Sequence, residues 1–279
     1  MSEINIVNQT TTPNTIKSLE KDLRTLGVKK GDVLLVHASL SKIGWVCGGA
    51  QSVVNALMNV IGDEGTLVMP SHSGDWSDPA QWGNPPVPKE WYQMIYQNMP
   101  AFDSRITPTR GMGRIAELFR TYPEVMRSNH PQVSFCAYGN KSEAIVKEHP
   151  LTPQFGMNSP LGKLYKLKAK VLLLGVGYDS CTSFHLSETV ADGMPRIKMG
   201  TSINEEGKRL WKWFKDFDYD ADDFKEIGKS FEEEKEVQKG KVGNAKSKLF
   251  HSREGVDFAS EWLKMNRLSQ EFKKRESTN

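Results

Sequence analysis

Between Val171 and Glu188 the chain reads V-L-L-L-G-V-G-Y-D-S-C-T-S-F-H-L-S-E, an apolar run that breaks at glycines and passes directly to a threonine, a histidine and a glutamate. His185 and Glu188 stand three residues apart, so a helix starting near Ser183 puts both on one face, where the carboxylate can orient the imidazole and stabilise its charge. Thr182 then falls at the helix N-terminus, where backbone N–H groups favour negative charge. A base, its orienting carboxylate and an oxyanion site would lie within one turn. A lone His-x-x-Glu pair is usually a surface pair. What singles this one out is its place just beyond a buried strand's carboxyl end, where open parallel sheets bind their ligands.

Other residue sets could do other chemistry. His37, His72 and His185 each follow an apolar strand, and three neutral imidazoles with one open position would suit the zinc of a hydrolase. No H-x-x-x-H or H-x-H spacing and no acidic fourth ligand supports that reading. Cys181, one helical turn before His185, or Ser39 could be a nucleophile activated by a neighbouring histidine, but no G-x-S-x-G elbow is present and an apolar-flanked cysteine is commonly inert packing. The stretches His37–Cys47 and Thr107–Gly113 place hydroxyls and glycines where the chain enters a helix, which suits a phosphate-bearing cofactor, although neither matches G-x-G-x-x-G or the Walker pattern. From Trp211 to Phe224 aromatics alternate with acids; Asp216 and Asp218 could attract an ammonium group, while the aromatics read more simply as facing the core.

The elements that must position these residues follow from periodicity. Ile16, Leu19, Leu23 and Leu26 form a helical stripe that ends at Gly27, and Val33–Val36 is the first strand. Residues 50–61 are helical again, with Val53, Ala56, Leu57 and Val60 on one side, and Thr66–Met69 is a second strand. This β-α-β unit makes the two strands parallel. A long proline-rich, Trp- and Tyr-rich excursion from Ser73 to Thr107 carries Asp75, Asp78 and Asp103, and loops of that length in compact domains are usually lids or binding elements. Helices are expected at 113–119, 144–148 and 159–167, and a third strand over Val133–Gly139. The fold class is α/β, with a central, largely parallel sheet and a C-terminal helical or extended addition from about residue 197. Residues 1–265 read as one domain and residues 266–279, ending K-K-R-E-S-T-N, as a solvated tail.

The whole chain narrows the classes further. A formal charge of +3 over 279 residues, with basic and acidic residues interleaved, gives no footprint for nucleic acid. No run approaches the roughly 20 apolar residues of a membrane helix, and the first residues lack the basic and apolar regions of a signal peptide, so a cytoplasmic location is expected. Cys47, Cys136 and Cys181 are odd in number and widely spaced, and read as free thiols rather than a disulfide framework or a metal site.

Five segments, in order, resemble the aminoglycoside 3-N-acetyltransferase family: V-H-A-S-L-S-K-I-G at Val36–Gly44, T-P-T-R-G-M-G at Thr107–Gly113, R-S-N-H-P at Arg127–Pro131, S-P-L-G at Ser159–Gly162, and the opening segment from Leu172 to Glu188. The resemblance runs from about Thr15 to Leu263. It implies an α/β/α sandwich, distinct from the common acetyltransferase fold, that takes acetyl-coenzyme A as cosubstrate, uses no metal and moves the acetyl group directly to an amine. It makes His185 the catalytic histidine, with Glu188 as its partner and Thr182 near the thioester. To coenzyme A it assigns His37, Ala38, Ser39, Leu40, Ser41, Lys42, Ile43 and Gly44, together with Thr107, Thr109, Arg110, Gly111, Met112 and Gly113. Candidates for the acceptor are His72 in the Ser71–Asp75 turn, Asp75, Asp78, Asp103, Asp216 and Asp218. The acceptor expected is the 3-amino group of an aminoglycoside, the alternative another small amine, and the assembly a homodimer.

Overall fold

The computed structural model describes residues 3–269. A short helix α1 (Glu3–Asn8) precedes α2 (Ile16–Leu26), whose N-terminus is closed by a reciprocal Thr15–Ser18 capping box and whose C-terminus ends at Gly27 in the left-handed region, φ 109°. Leu19, Leu23 and Leu26 are buried as the stripe requires, each contributing about 2 kcal/mol of burial. Strand β1 (Val33–Ala38) leads through one helical turn, α3 (Leu40–Ile43), into α4 (Gly49–Ile61) and β2 (Thr66–Pro70). Within the excursion the only α-helix is α5 (Tyr92–Asn98), and it is followed by α6 (Gly113–Phe119), the two-residue β3 (Met126–Arg127), β4 (Phe135–Gly139), α7 (Ser142–Val146) and α8 (Pro160–Lys166). After β5 (Lys170–Leu174) and α9 (Phe184–Val190) come a long ribbon, β6 (Arg196–Glu205) and β7 (Lys208–Phe217), then α10 (Phe224–Glu234), β8 (Gln238–Val242), β9 (Ala245–His251) and α11 (Ser252–Leu263).

Seven strands form one sheet in the order β3-β4-β2-β1-β5-β9-β8. The central trio β2-β1-β5 is parallel, as the β-α-β pattern requires. The flanks are antiparallel: β4 returns from the excursion against β2, and the hairpin β8–β9 adds to β5. The sheet is therefore mixed, parallel where the site lies. The C-terminal part completes this sheet through β8 and β9 rather than standing beside it. The ribbon β6–β7 forms a separate two-stranded sheet, and the alternation read from Trp211 is its strand period as far as Phe217, where β7 ends. Trp211 and Trp213 do not enter the main core: both pack on Tyr96 of α5, at 4.8 and 5.3 Å between ring centres.

Apolar layers cover both faces of the sheet. One is built from α2, α4 and α6 over Leu34, Val36, Leu67, Leu172 and Leu174; the other from α7–α11 over Leu35, Val68, Val171 and Leu173. The alternation of these numbers along β1 and β5 is the strand period of two. One close approach fixes where α10 sits: a Cβ on Gly228 would lie 2.1 Å from the ring of Tyr178, so the helix packs this near only because the position is glycine.

The excursion is tied down at both ends by one half-buried cation. Arg127 donates to the carbonyl of Ser71 (2.7 Å) and the hydroxyl of Ser73 (2.9 Å) where the excursion begins, and to the carbonyl of Thr107 (2.5 Å) where it ends. The excursion's middle is held to the ribbon, with Thr201 donating to Trp76 O and Arg209 to Met99 O.

Candidate active site

His185 lies in the first turn of α9, which starts after Ser183 as the sequence requires. Its Nδ1 stands 2.6 Å from Glu188 Oε2. Glu188 is fully buried and its other oxygen accepts from the Asp220 amide at 2.9 Å and from Arg267. A carboxylate in this setting can only accept, so Nδ1 carries the proton and Nε2 is the ring nitrogen with a free lone pair. The ring is fixed on its faces: Phe155 stacks on it at 4.8 Å and 10°, Phe224 leans on it at 4.8 Å, and Tyr219 meets it edge-on at 5.6 Å.

His185 opens onto a cavity of about 610 Å³ at the carboxyl edge of β1 and β2. Its walls are His37, Ala38, Ser39, Leu40 and Ser41 after β1, His72 after β2, Gly111–Ala116 at the start of α6, and Asp179–Thr182 before α9. The three histidines singled out in the sequence therefore share one cavity. Burial holds His37 neutral, its pKa down at about 3, with the neighbouring His185 adding to the shift. His72 is lowered to about 3 by the same two causes, joined by His37, His130 and Arg127. Among the described residues no group of three or more His, Cys, Asp or Glu side chains is arranged to hold a metal ion.

The nucleophile reading fails on geometry. Cys181 is fully buried, its Sγ sits 3.2 Å from Ser183 Oγ, and burial pushes its thiol up to about 12, so no thiolate forms at neutral pH. Ser39 pairs with Ser41 (3.3 Å), not with an imidazole. Of the expected oxyanion donors, the Thr182 and Ser183 amides, the first needs correction. The Thr182 amide donates to Ser180 O, and the Phe184 and His185 amides close turns onto Cys181 O and Thr182 O. Thr182 does line the cavity. Its hydroxyl, without a hydrogen-bond partner among the described residues, is the open donor there rather than its backbone.

Not every residue assigned to coenzyme A reaches this cavity. Lys42 and Gly44 lie outside its lining, and Ile43 is wholly buried in the core. Thr107 accepts from the Asp103 amide, and Thr109 donates to Glu117. Arg110 pairs with Asp75 at 2.8 Å in the wall of a second hollow of about 590 Å³, with Trp82, Asn84, Pro85 and Val87. Arg114, Asp179 and Ser180 line the main cavity and were not singled out in the sequence, since a single charged or hydroxyl residue in a turn carries no pattern of its own.

The acidic candidates scatter. Asp78 is buried, capping Ala80 and accepting from Tyr96 Oη at 2.7 Å. Asp103 is held by both arms of Arg105, whose hydrogen bonds lower its carboxyl to about 2. Asp216 is fully buried and takes the Gln154 amide at 2.8 Å; burial raises its pKa. Asp218 is exposed and lines none of the hollows described. Residues 266–269 of the expected tail are ordered, and Arg267 contacts Glu188; residues 270–279 lie outside the described part.

The carboxyl edge of a parallel sheet, a carboxylate-held imidazole and a cavity between two glycine-flanked turns thus meet at one place in an α/β fold. Comparison with known proteins gives the class. The sequence pattern of the aminoglycoside 3-N-acetyltransferase family matches residues 35–264. The chain belongs to that family, a family of acyltransferases. It is 51% identical over 270 residues to the SPbeta prophage-derived aminoglycoside N(3')-acetyltransferase-like protein YokD of Bacillus subtilis (strain 168), covering 96% of this chain and 99% of that one. Aminoglycoside N(3)-acetyltransferase VII of Streptomyces paromomycinus is 32% identical, over 94% and 96% of the two chains. Among solved structures, YokD superposes with a TM-score of 0.93 (50% identity; 95% and 98% covered), and AAC-IIIb, solved as a binary complex with CoASH, with 0.80 (30% identity; 91% and 97% covered).

Proposed function

We propose that this enzyme transfers the acetyl group of acetyl-coenzyme A to an amino group of an aminoglycoside, the 3-amino group, with His185 as general base. The observation that carries the reading is the 2.6 Å contact of His185 Nδ1 with buried Glu188, which leaves Nε2 as the free acceptor beside the cavity. Family membership supports the cosubstrate, and the cavity walls at His37–Ser41 and Gly111–Gly113 suit it: both are turns with open hydroxyls or glycines at a helix start.

The chemistry then runs without an acyl-enzyme. An amine attacks only as the free base, so a group titrating near neutrality is suited to take its proton. The amine nitrogen bonds to the thioester carbon while His185 Nε2 accepts its proton; the C–S bond breaks, and the sulfur leaves as thiolate to collect that proton from His185. Glu188 stabilises the imidazolium in between. The Thr182 hydroxyl is the donor for the carbonyl oxygen, and losing such a donor costs about 3 kcal/mol of barrier. Assembly as a homodimer and a cytoplasmic location belong to the same proposal.

A second acceptor class is favoured by one observation. Four of the five candidate carboxylates are spent, Asp75 on Arg110, Asp103 on Arg105, and Asp78 and Asp216 in buried hydrogen bonds; Asp218 is exposed outside the hollows, and in the cavity wall the one carboxylate, Asp179, is offset by Arg114. A polycation gains little from such walls, so a small amine of lower charge is the alternative. The test is His185→Gln with acetyl-coenzyme A and a panel of aminoglycosides and monoamines. Calorimetry should give an unchanged dissociation constant for acetyl-coenzyme A, and amine-dependent thiol release should fall by about 10² or more. Retained turnover in the folded variant would remove His185 from the reaction.

A further inference from the structure

The His185–Glu188 pair is completed from a distance. Arg267 sits in a widened helical turn, Lys264–Leu268, at the end of α11 and spends all three guanidinium nitrogens in one place. Nη1 donates to Glu188 Oε1, Nε donates to Asp223 Oδ2 at 2.9 Å, and Nη2 donates to the Asp220 carbonyl at 2.8 Å and to Asp223 Oδ1. The Asp220 amide, in turn, donates to the same Glu188 oxygen that Arg267 holds. Glu188 has no exposure and the Arg267 side chain only 14%, so the contact lies in a low-dielectric setting where one charge is strongly felt by the next.

We infer that Arg267 is the positioning residue of the catalytic base: it fixes Glu188 so that Oε2 is aimed at His185 Nδ1, and its charge sets how strongly Glu188 holds the imidazolium. The inference rests on the reading of His185 as base. Two effects follow from the geometry. With Oε1 locked by two donors, Oε2 is left to the histidine alone, which fixes the ring's tautomer and orientation. A guanidinium on the far oxygen also withdraws negative charge from the near one. Without it, Glu188 would bear more negative charge and hold the imidazolium more strongly, so the proton taken from the amine would be released less readily. Asp223 has the opposite sign: it touches Arg267 but not Glu188, and it damps the arginine's charge.

Other titratable groups around His185 leave this signal clear. Those facing it from neighbouring elements are His37, His72, Tyr219 and, along the cavity wall, Asp179 and Cys181. His37 and His72 are held down at about 3, Cys181 is pushed up to about 12, and burial raises Tyr219 as well, so these four do not change charge near neutrality.

The experiment measures kcat and KM for thiol release from acetyl-coenzyme A, with the best acceptor amine, between about pH 5.5 and 9. It compares the wild-type chain with Arg267→Met, Arg267→Lys and Asp223→Asn, with His185→Asn as reference. Arg267→Met should lower kcat at pH 7 by about tenfold to a hundredfold with KM for acetyl-coenzyme A unchanged. It should also move the acid limb up by about one pH unit. Arg267→Lys keeps the charge and should keep the limb in place while recovering part of the rate. Asp223→Asn should move the limb down, and this result decides the matter alone if Arg267→Met does not fold. Limbs that stay put in both Arg267→Met and Asp223→Asn, with kcat per folded enzyme unchanged, would reduce Arg267 to a structural contact. If His185→Asn itself turns over at the wild-type rate, the base reading fails instead, and the two failures are told apart.

Discussion

Acidification should destabilise this protein before its carboxylates titrate, and the reason lies in two buried histidines. His37 is 6% exposed and His130 not at all, and burial lowers their pKa values from 6.5 to about 3 and about 4. His130 is held neutral by its partners too: its Nδ1 accepts from the amides of Gln132 and Val133 at 3.2 and 3.1 Å. The unfolded chain binds a proton at each histidine below pH 6.5, whereas the folded chain does so only near pH 3 to 4. Between those values the unfolded state carries more protons, so stability is complete above pH 6.5 and falls as pH drops toward 4. Each group costs about 1.4 kcal/mol per pH unit, hence about 2 kcal/mol at pH 5 and about 4 kcal/mol for the pair. His72, which opens partly to the cavity, is left out of that sum. Set against a total of about 5–15 kcal/mol for a typical domain, the loss is large. Urea unfolding at 25 °C followed by fluorescence should show the midpoint dropping steeply from pH 7 to pH 5, and His130→Gln should remove about half of the slope. A midpoint independent of pH across this window, or a slope unaffected by the substitution, would refute the claim that these imidazoles are buried neutral.

Further consequences can be checked with single variants. Glu188→Gln removes the charge that stabilises the imidazolium and offers an N–H where Arg267 already donates; kcat should fall about tenfold to a hundredfold, while KM for acetyl-coenzyme A holds, in steady-state thiol release. Gly228→Ala should destabilise by about 1–3 kcal/mol, read from thermal melts, because the added methyl overlaps the Tyr178 ring; an unchanged melting temperature would mean that α10 is not held at this distance. Arg127→Met strands the carbonyl of Thr107 and takes from that of Ser71 one of its two donors, leaving only the Ser134 hydroxyl, and should both lower the melting temperature and raise the protease sensitivity of the excursion.

Much of this architecture was legible in the chain because it rests on local periods. The stripe of Leu19, Leu23 and Leu26, the run Val33–Val36 and the spacing of His185 to Glu188 each report a single element's geometry, and each appears where its period puts it. His37, His72 and His185 could be brought together from sequence because parallel strands present their carboxyl ends on one edge. What escaped depends on long-range contacts. Arg267 lies 79 positions from Glu188, in what reads from sequence as a solvated tail; no local pattern marks a residue whose partners are a distant carboxylate and the 220–223 turn. The acids failed for the converse reason. An aspartate in a loop reads the same whether it faces a substrate or caps a turn, and Asp78, like Asp216, proved to be hydrogen-bonded inside the fold. The Thr182 backbone was assigned as a donor on helix position alone, but the chain enters α9 through turns that consume its amide.

The most direct test of the central claim is thiol release from acetyl-coenzyme A by the wild-type protein, followed with and without an aminoglycoside panel and a set of smaller amines. Release that needs an amine and yields the N-acetylated amine in equal amount is the expected result, and the amine that gives it identifies the acceptor class. Release at the same rate without any amine would make the protein a thioester hydrolase and contradict the account.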